Sequence, residues 1–211
     1  MTEMVYTIGH STHAMERFIA LLKLHEVSAV ADVRSYPYST FNPQFSRESL
    51  LKDLRAAGIR YVFLGKELGA RSTDPRDYID GRASYELIAA SESFKQGLER
   101  VLRGSADFRL ALMCAEKDPL HCHRTILVSR RLVEKGSKVG HILADGSLEA
   151  HDHALARLVD TLRIPPEDLL RSQAQVIEDA YRIQGEAIAY RERDPEDARR
   201  MAPTRRAGGA R

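Results

Sequence analysis

An open three-layer α/β sandwich on a mostly parallel sheet is the fold that these 211 residues predict. Three observations point there. Short, largely apolar runs recur along the chain. Single amphipathic stretches at helical spacing separate them, and Gly, Asn-Pro and Asp-Gly turns punctuate the joins. Strands that are apolar on both faces need cover on both, which places helices on either side of the sheet, joined by right-handed crossovers. About five such units are visible, too few for the eight of a closed barrel.

The first strand is read at residues 4–8, ending at Gly9-His10, with Ser11 or Thr12 placed to cap a helix carrying Met15, Phe18, Ile19 and Leu22. Residues 28–33 form the second strand, apolar until Asp32. Asn42-Pro43 marks a loop, Ser46 caps the next helix, and its stripe of Leu50, Leu54 and Ala57 ends at Gly58. The third strand, 61–64, stops at Gly65, and residues 66–83 read as one long loop. Ser93 and Gln96 have the spacing of a capping box for a helix with Phe94, Leu98, Val101 and Leu102 inward and Gly104 closing it. The fourth strand is 108–114. A helix from about 123 to 135 follows and ends at Gly136. The fifth strand, 139–143, turns at Asp145-Gly146. Asp152 is then the expected N-cap of a helix carrying Leu155, Leu158, Val159 and Leu162.

After Pro165-Pro166, residues 168–193 place Val176, Ile177, Ala180, Ile183 and Ala187 on one face, as a helix that packs back. The organisation expected is an α/β domain over 1–163, a C-terminal helix over 164–194 and a tail over 195–211. Past Asp197 the tail has Arg199, Arg200, Arg205, Arg206 and Arg211 with no acid. It lacks the apolar content to offset its ordering entropy and is expected to be disordered and dispensable for folding.

Composition limits the function. With 32 basic and 30 acidic residues the net charge is +2, too balanced for nucleic-acid binding by bulk electrostatics. No apolar run approaches the ~20 residues of a membrane helix. Two cysteines make no secreted disulfide framework, so the expected compartment is the cytoplasm.

Ligands of an open parallel sheet bind outside the carboxyl ends of the strands. Seven of the eight histidines, all but His25, and both cysteines lie on or after strands. His10, Ser11 and His13 follow the first strand; Asp32, Arg34, Ser35 and Tyr36 follow the second; Lys66, Glu67 and Arg71 follow the third. The densest segment is Cys114-Ala-Glu-Lys-Asp-Pro-Leu-His-Cys-His-Arg124. A loop that delivers Cys-His-Arg to a helix start could present a nucleophile, a metal-ligand set or an anion cradle. A phosphatase-type loop does not fit: Cys122 and Arg124 are too close, and Cys114 and Arg124 too far apart. For zinc, Cys114, His121, Cys122 and His123 supply ligand types, with His10 or His13 from a neighbouring loop. Cys122 and His123 would point apart on a helix, so one of the two is expected to ligate with Cys114. Asp32 and Arg34 are read as an ion pair, and Glu116 as the better general acid or base. Tyr36, Tyr38, Phe41 and Phe45 are expected to pack as their own small cluster, with nucleobase stacking as the alternative.

Several stretches together resemble the uncharacterised prokaryotic family DUF488: Thr7-Ile-Gly-His-Ser-Thr, Asp32-Val-Arg-Ser-Tyr-Pro-Tyr-Ser, Asn42-Pro-Gln-Phe-Ser, Gly58-Ile-Arg-Tyr-Val-Phe-Leu-Gly-Lys-Glu-Leu-Gly, Leu112-Met-Cys-Ala-Glu with His-Cys-His-Arg124, and His141-Ile-Leu-Ala-Asp-Gly. The segment 180–190 is similar to the family's C-terminal extension. The resemblance implies an α/β domain whose characteristic polar residues are these loop residues, and it implies no particular reaction.

The leading expectation is a hydrolase or transferase for a small anionic, phosphate-bearing substrate such as a nucleotide or nucleic-acid component. Arg34, Arg124 and Lys66 would bind the anion, with Ser11, Asp32 and Tyr36 beside it. Cys114, Glu116, His123 and His10 would carry the chemistry. The alternative is a non-catalytic module in which Cys114, Cys122 and His123 hold a divalent metal such as zinc, or in which the two thiols form a reversible disulfide. An accessory protein that binds nucleic acid through its arginine tail is the third reading.

Overall fold

The structure, a computed structural model, describes residues 4–165 and 171–192. Among the described residues there are eight strands: β1 (Val5–Gly9), β2 (Ala29–Asp32), β3 (Arg60–Phe63), β4 (Tyr78–Ile79), β5 (Arg82–Ala83), β6 (Leu110–Cys114), β7 (Val139–Ile142) and β8 (Leu148–Ala150). Six of them make one sheet in the order β3-β2-β6-β1-β7-β8, parallel except for β8, which runs antiparallel to β7 at the edge. The helices are α1 (Met15–Leu24), α2 (Arg47–Ala56), α3 (Gly65–Leu68), α4 (Tyr85–Ala90), α5 (Glu92–Asp107), α6 (Arg130–Glu134), α7 (His151–Leu162) and α8 (Gln173–Ile188).

Successive strand residues point to opposite faces, and the core divides on that period. Val30, Ala111 and Met113 face α1 and α2, where they meet Phe18, Leu22, Leu50 and Leu54. Ala31, Leu112 and Cys114 face the other way, against Phe94 and Leu98 of α5 and Leu127 and Leu132 near α6. A third cluster joins α7 to α8 through Leu155, Leu158, Ala180 and Tyr181 and reaches Leu120 and Ile126. The result is the open three-layer α/β arrangement with a C-terminal helical segment that the sequence predicts.

The topology sets the position of the site. β6 lies between β2 and β1, with Cys114 level with Gly9 and Met113 level with Asp32. The loops leaving β1, β2 and β6 therefore converge at one edge.

Several local expectations are corrected. The sheet has a sixth strand, β8, formed where Gly146 (φ 103°) closes a hairpin after β7. The 66–83 loop contains α3 and a small β4–β5 hairpin. α5 starts two residues earlier than the Ser93–Gln96 box: Ser91 is the N-cap and its Oγ accepts the Phe94 N–H at 3.2 Å. Gly104 sits inside that helix, which runs to Asp107. Ala150, and not Asp152, occupies the N-cap of α7, because His151 is drawn into the buried first turn. The 123–135 helix opens as a wide π-type turn over Arg124–Ser129 before α6. A true capping box, Ser172 with Gln175, starts α8. The 195–211 tail and residues 168–170 and 193 of the expected last helix lie outside the described residues.

α8 is bound by packing and by charge. Arg130 spans Glu86, Glu134 and Glu178 on three helices and lies 4.8 Å over the Tyr181 ring. The carboxylates are well exposed, so these pairs add little singly, and the apolar contacts carry the docking. Leu158 is 2% exposed in that cluster. Leu158→Ala is expected to lower unfolding free energy by about 2–5 kcal/mol, as measured by urea denaturation. An unchanged midpoint would mean that the α7–α8 pair contributes nothing to the core.

Candidate metal centre and its cleft

The loop from Cys114 to Arg124 is folded back on itself by its last residue. Arg124 is fully buried and donates from Nη1 to the Glu116 carbonyl at 2.8 Å and from Nη2 to the Lys117 carbonyl at 3.4 Å. Its backbone N–H points at Cys122 Sγ, 3.4 Å away. Gly9 makes room: a Cβ there would lie 1.9 Å from the Glu116 carbonyl oxygen. The start and the end of the loop are thereby pinned together.

Cys122 lies in extended backbone (φ −138°, ψ 139°) and His123 is already α-helical (φ −59°, ψ −25°). The sequence expectation that only one of this adjacent pair can join Cys114 is therefore corrected. They do not both ride a helix, and both side chains reach the same point. The ligand atoms of Cys114, Cys122 and His123 all lie within 4.8 Å of one another, and all three residues are buried. His123 Nδ1 stands 3.7 Å from Cys114 Sγ and 3.9 Å from Cys122 Sγ. Its Nε2 lies 3.0 Å from the Val33 carbonyl, an acceptor only, so Nε2 carries the proton. In the neutral ring, Nδ1 then presents its lone pair to the two sulfurs.

Glu116 Oε2 is 2.9 Å from Cys122 Sγ, so the two share one proton. Burial opposes a Cys122 thiolate, but the Cys114 hydrogen bond, the Arg124 charge and His123 outweigh it and hold Cys122 well below the ordinary thiol range. Cys114 moves the other way, pushed up by its hydrogen bond to Cys122 and by burial. Burial and the Cys122 charge raise Glu116. Burial alone would lower His123, but the Cys122 hydrogen bond and charge reverse the sign and raise it. Cys122 is thus the more acidic of the two thiols, and Glu116 is placed to take its proton.

A second buried assembly stands behind Arg34. Asp32 accepts from Arg34 Nε at 2.9 Å and Nη2 at 2.6 Å, and from Tyr61 Oη at 2.9 Å. Arg34 Nη1 lies 3.2 Å from His10 Nε2, while His10 Nδ1 lies 2.8 Å from the Ser11 carbonyl. His10 therefore donates through Nδ1 and accepts through Nε2. Its ring stacks on Phe45 with centroids 4.2 Å apart. Burial, with Arg34 opposing a second positive charge, lowers His10 to about 4. The Asp32–Arg34 ion pair is as the sequence suggests, and His10 is committed to Arg34 and unavailable as a ligand for the cysteine cluster.

A cleft of about 470 Å³ opens above the cluster, lined by Cys114, Cys122, His123 and Glu116 and by Arg34 and Tyr36. Ser11, in left-handed conformation (φ 48°), donates its N–H to the Ala115 carbonyl and does not line the cleft. Asp32 and His10 lie behind Arg34. Lys66 lies on α3 in a separate groove of about 920 Å³ that also includes Arg71. Arg124 sits beneath the loop, its guanidinium spent on main-chain carbonyls.

The expected aromatic cluster at 36–45 is also corrected. Only Phe45 is buried; Phe41 is 95% exposed and Tyr36 68%. At the start of α7, His151 is buried while Asp152 and His153 are exposed.

Sequence reasoning gave no weight to Tyr85 and Tyr190, which also line the cleft. Nor did it find the buried file of Thr7 Oγ1, His141, His151 and Tyr181 Oη, linked at 2.8, 3.0 and 2.7 Å. That file ties β1 through β7 and α7 to α8. No spacing signal exists for it, since its members come from four separate elements.

Among known proteins, the family model described as "Domain of unknown function DUF488" matches residues 14–131. No curated protein and no solved structure matches the chain.

The buried neutral histidines set the acid limb of stability. His10 and His151 fall from 6.5 to about 4 in the folded chain. Between those values the unfolded chain binds protons that the folded chain refuses, so stability drops as pH falls through that window and is fully lost to this effect below it. The loss is on the order of 3 kcal/mol for each such histidine. Urea titrations at pH 7 and pH 4.5 should show it, with a shallower slope in His10→Asn. Equal stability at both pH values would contradict the assignment.

Proposed function

The chain belongs to the DUF488 family, and from the geometry above we propose that it is a zinc-binding protein with a Cys114–Cys122–His123 centre left open toward the cleft. One observation carries the reading. Zinc at ~2.3 Å from sulfur and ~2.0 Å from nitrogen in tetrahedral geometry needs sulfur and nitrogen about 3.6 Å apart. His123 Nδ1 stands 3.7 and 3.9 Å from the two sulfurs. The Val33 carbonyl fixes the ring as an outer-shell partner does at histidine metal sites.

The donor set suits the ion chemically. Two thiolates and a neutral imidazole are borderline-soft ligands, and the ion's charge would bring Cys114 down to join Cys122 as a thiolate. Three protein ligands with a free fourth direction are the pattern of sites that keep one position for water or a substrate. Glu116 stands beside Cys122 to hold a proton there.

This reading is favoured over a hydrolase or transferase whose phosphate is cradled by Arg34 and Arg124. Arg124 is sealed under the loop, and Arg34 is engaged by Asp32 and His10. A reversible Cys114–Cys122 disulfide is the other chemistry of the same three residues, and it would compete with metal.

Elemental analysis of protein purified without a metal-affinity tag should find about one zinc per chain, or stoichiometric uptake when zinc is added to chelator-treated protein. Cys114→Ser and Cys122→Ser should each abolish it while the fold, followed by circular dichroism, persists. Folded wild-type protein that takes up no zinc, cobalt or iron, and whose thiols oxidise to a disulfide, would replace the metal reading with the redox one.

A further inference from the structure

We infer that the cleft binds a nucleoside monophosphate unit, its base stacked on Tyr36 and Tyr38 and its phosphate on Arg71. The inference goes beyond the metal centre, and none of its contacts requires the ion.

Arg71 is exposed and forms no ion pair among the described residues. Its guanidinium instead lies 4.6 Å over the ring of Tyr190, which follows α8. A guanidinium backed by an aromatic face keeps its N–H edge free for an anion, and Arg is suited to bidentate phosphate contact. Arg34, by contrast, is neutralised by Asp32 behind it. Arg71 is therefore the uncompensated cation of the cleft wall among its arginines.

The rings are adjacent. The Arg71 backbone N–H donates to Ser35 Oγ at 2.9 Å, and the next residue is Tyr36. Tyr36 and Tyr38 line the same cleft with centroids 5.2 Å apart and planes tilted by 59°, so they form an open angle and not a closed stack. Tyr36 is 68% and Tyr38 46% exposed. Large rings left facing water beside a cation make a platform for a flat heterocycle, and such stacking is tolerant of base identity. The cleft volume of about 470 Å³ is that of a small-molecule site and too small for a duplex.

The test is calorimetry of the full chain with adenosine 5′-monophosphate, adenosine and ribose 5-phosphate. The monophosphate should bind at least tenfold more tightly than either fragment. Tyr36→Ala should reduce its affinity about tenfold and leave ribose 5-phosphate binding unchanged; Arg71→Gln should do the reverse, sparing adenosine. A single-stranded oligoadenylate that binds more than tenfold more tightly than the monomer would identify a strand as the source of the unit, and equal affinity would identify the free nucleotide. Ribose 5-phosphate binding as tightly as the monophosphate, or no binding by any probe to the folded chain, would overturn the inference. Zinc stoichiometry measured on the same samples separates this failure from that of the metal centre.

Discussion

One buried guanidinium organises the loop on which the candidate site depends. Arg124 gives its N–H groups to the Glu116 and Lys117 carbonyls while its own backbone N–H meets Cys122 Sγ. A cation without a carboxylate partner is costly to bury, and its Nε has no hydrogen-bond partner among the described residues. What the arrangement obtains is geometry: residue 124 holds both ends of a loop that would otherwise let Cys114 and Cys122 drift apart. Gly9 is the matching concession from β1, since any side chain there would collide with the Glu116 carbonyl.

The sheet supplies the rest of the positioning. β6 runs between β2 and β1, so Cys114, Arg34 and His10 leave three neighbouring strands at one edge. Val33 continues β2 by one residue, and its carbonyl is the acceptor that fixes His123. Strand order, not sequence proximity, brings that acceptor to a histidine ninety residues away.

How much of this was legible follows from the range of each interaction. The strands were readable because burial on both faces leaves runs such as Leu110–Cys114 wholly apolar. The cysteine cluster was readable because its members are at most nine residues apart. Its geometry was not, because the adjacent Cys122 and His123 read as sharing one helix, whereas Cys122 is still extended. Both caps lie two positions before the expected residue, Ser91 for Ser93 and Ala150 for Asp152, because tertiary packing and not side-chain capping chemistry alone sets where each helix starts. The Thr7–Tyr181 file had no local signal at all. The aromatic loop was misread because burial statistics favour packed rings, and this loop carries its rings outward beside a cleft.

In the proposed centre two sulfurs and one imidazole nitrogen converge on a single ion. X-ray absorption at the zinc edge of the zinc-loaded full chain measures that directly. The expected spectrum has a shell of two sulfurs near ~2.3 Å and light atoms near ~2.0 Å. A first shell of nitrogen and oxygen alone, with no sulfur, would contradict it.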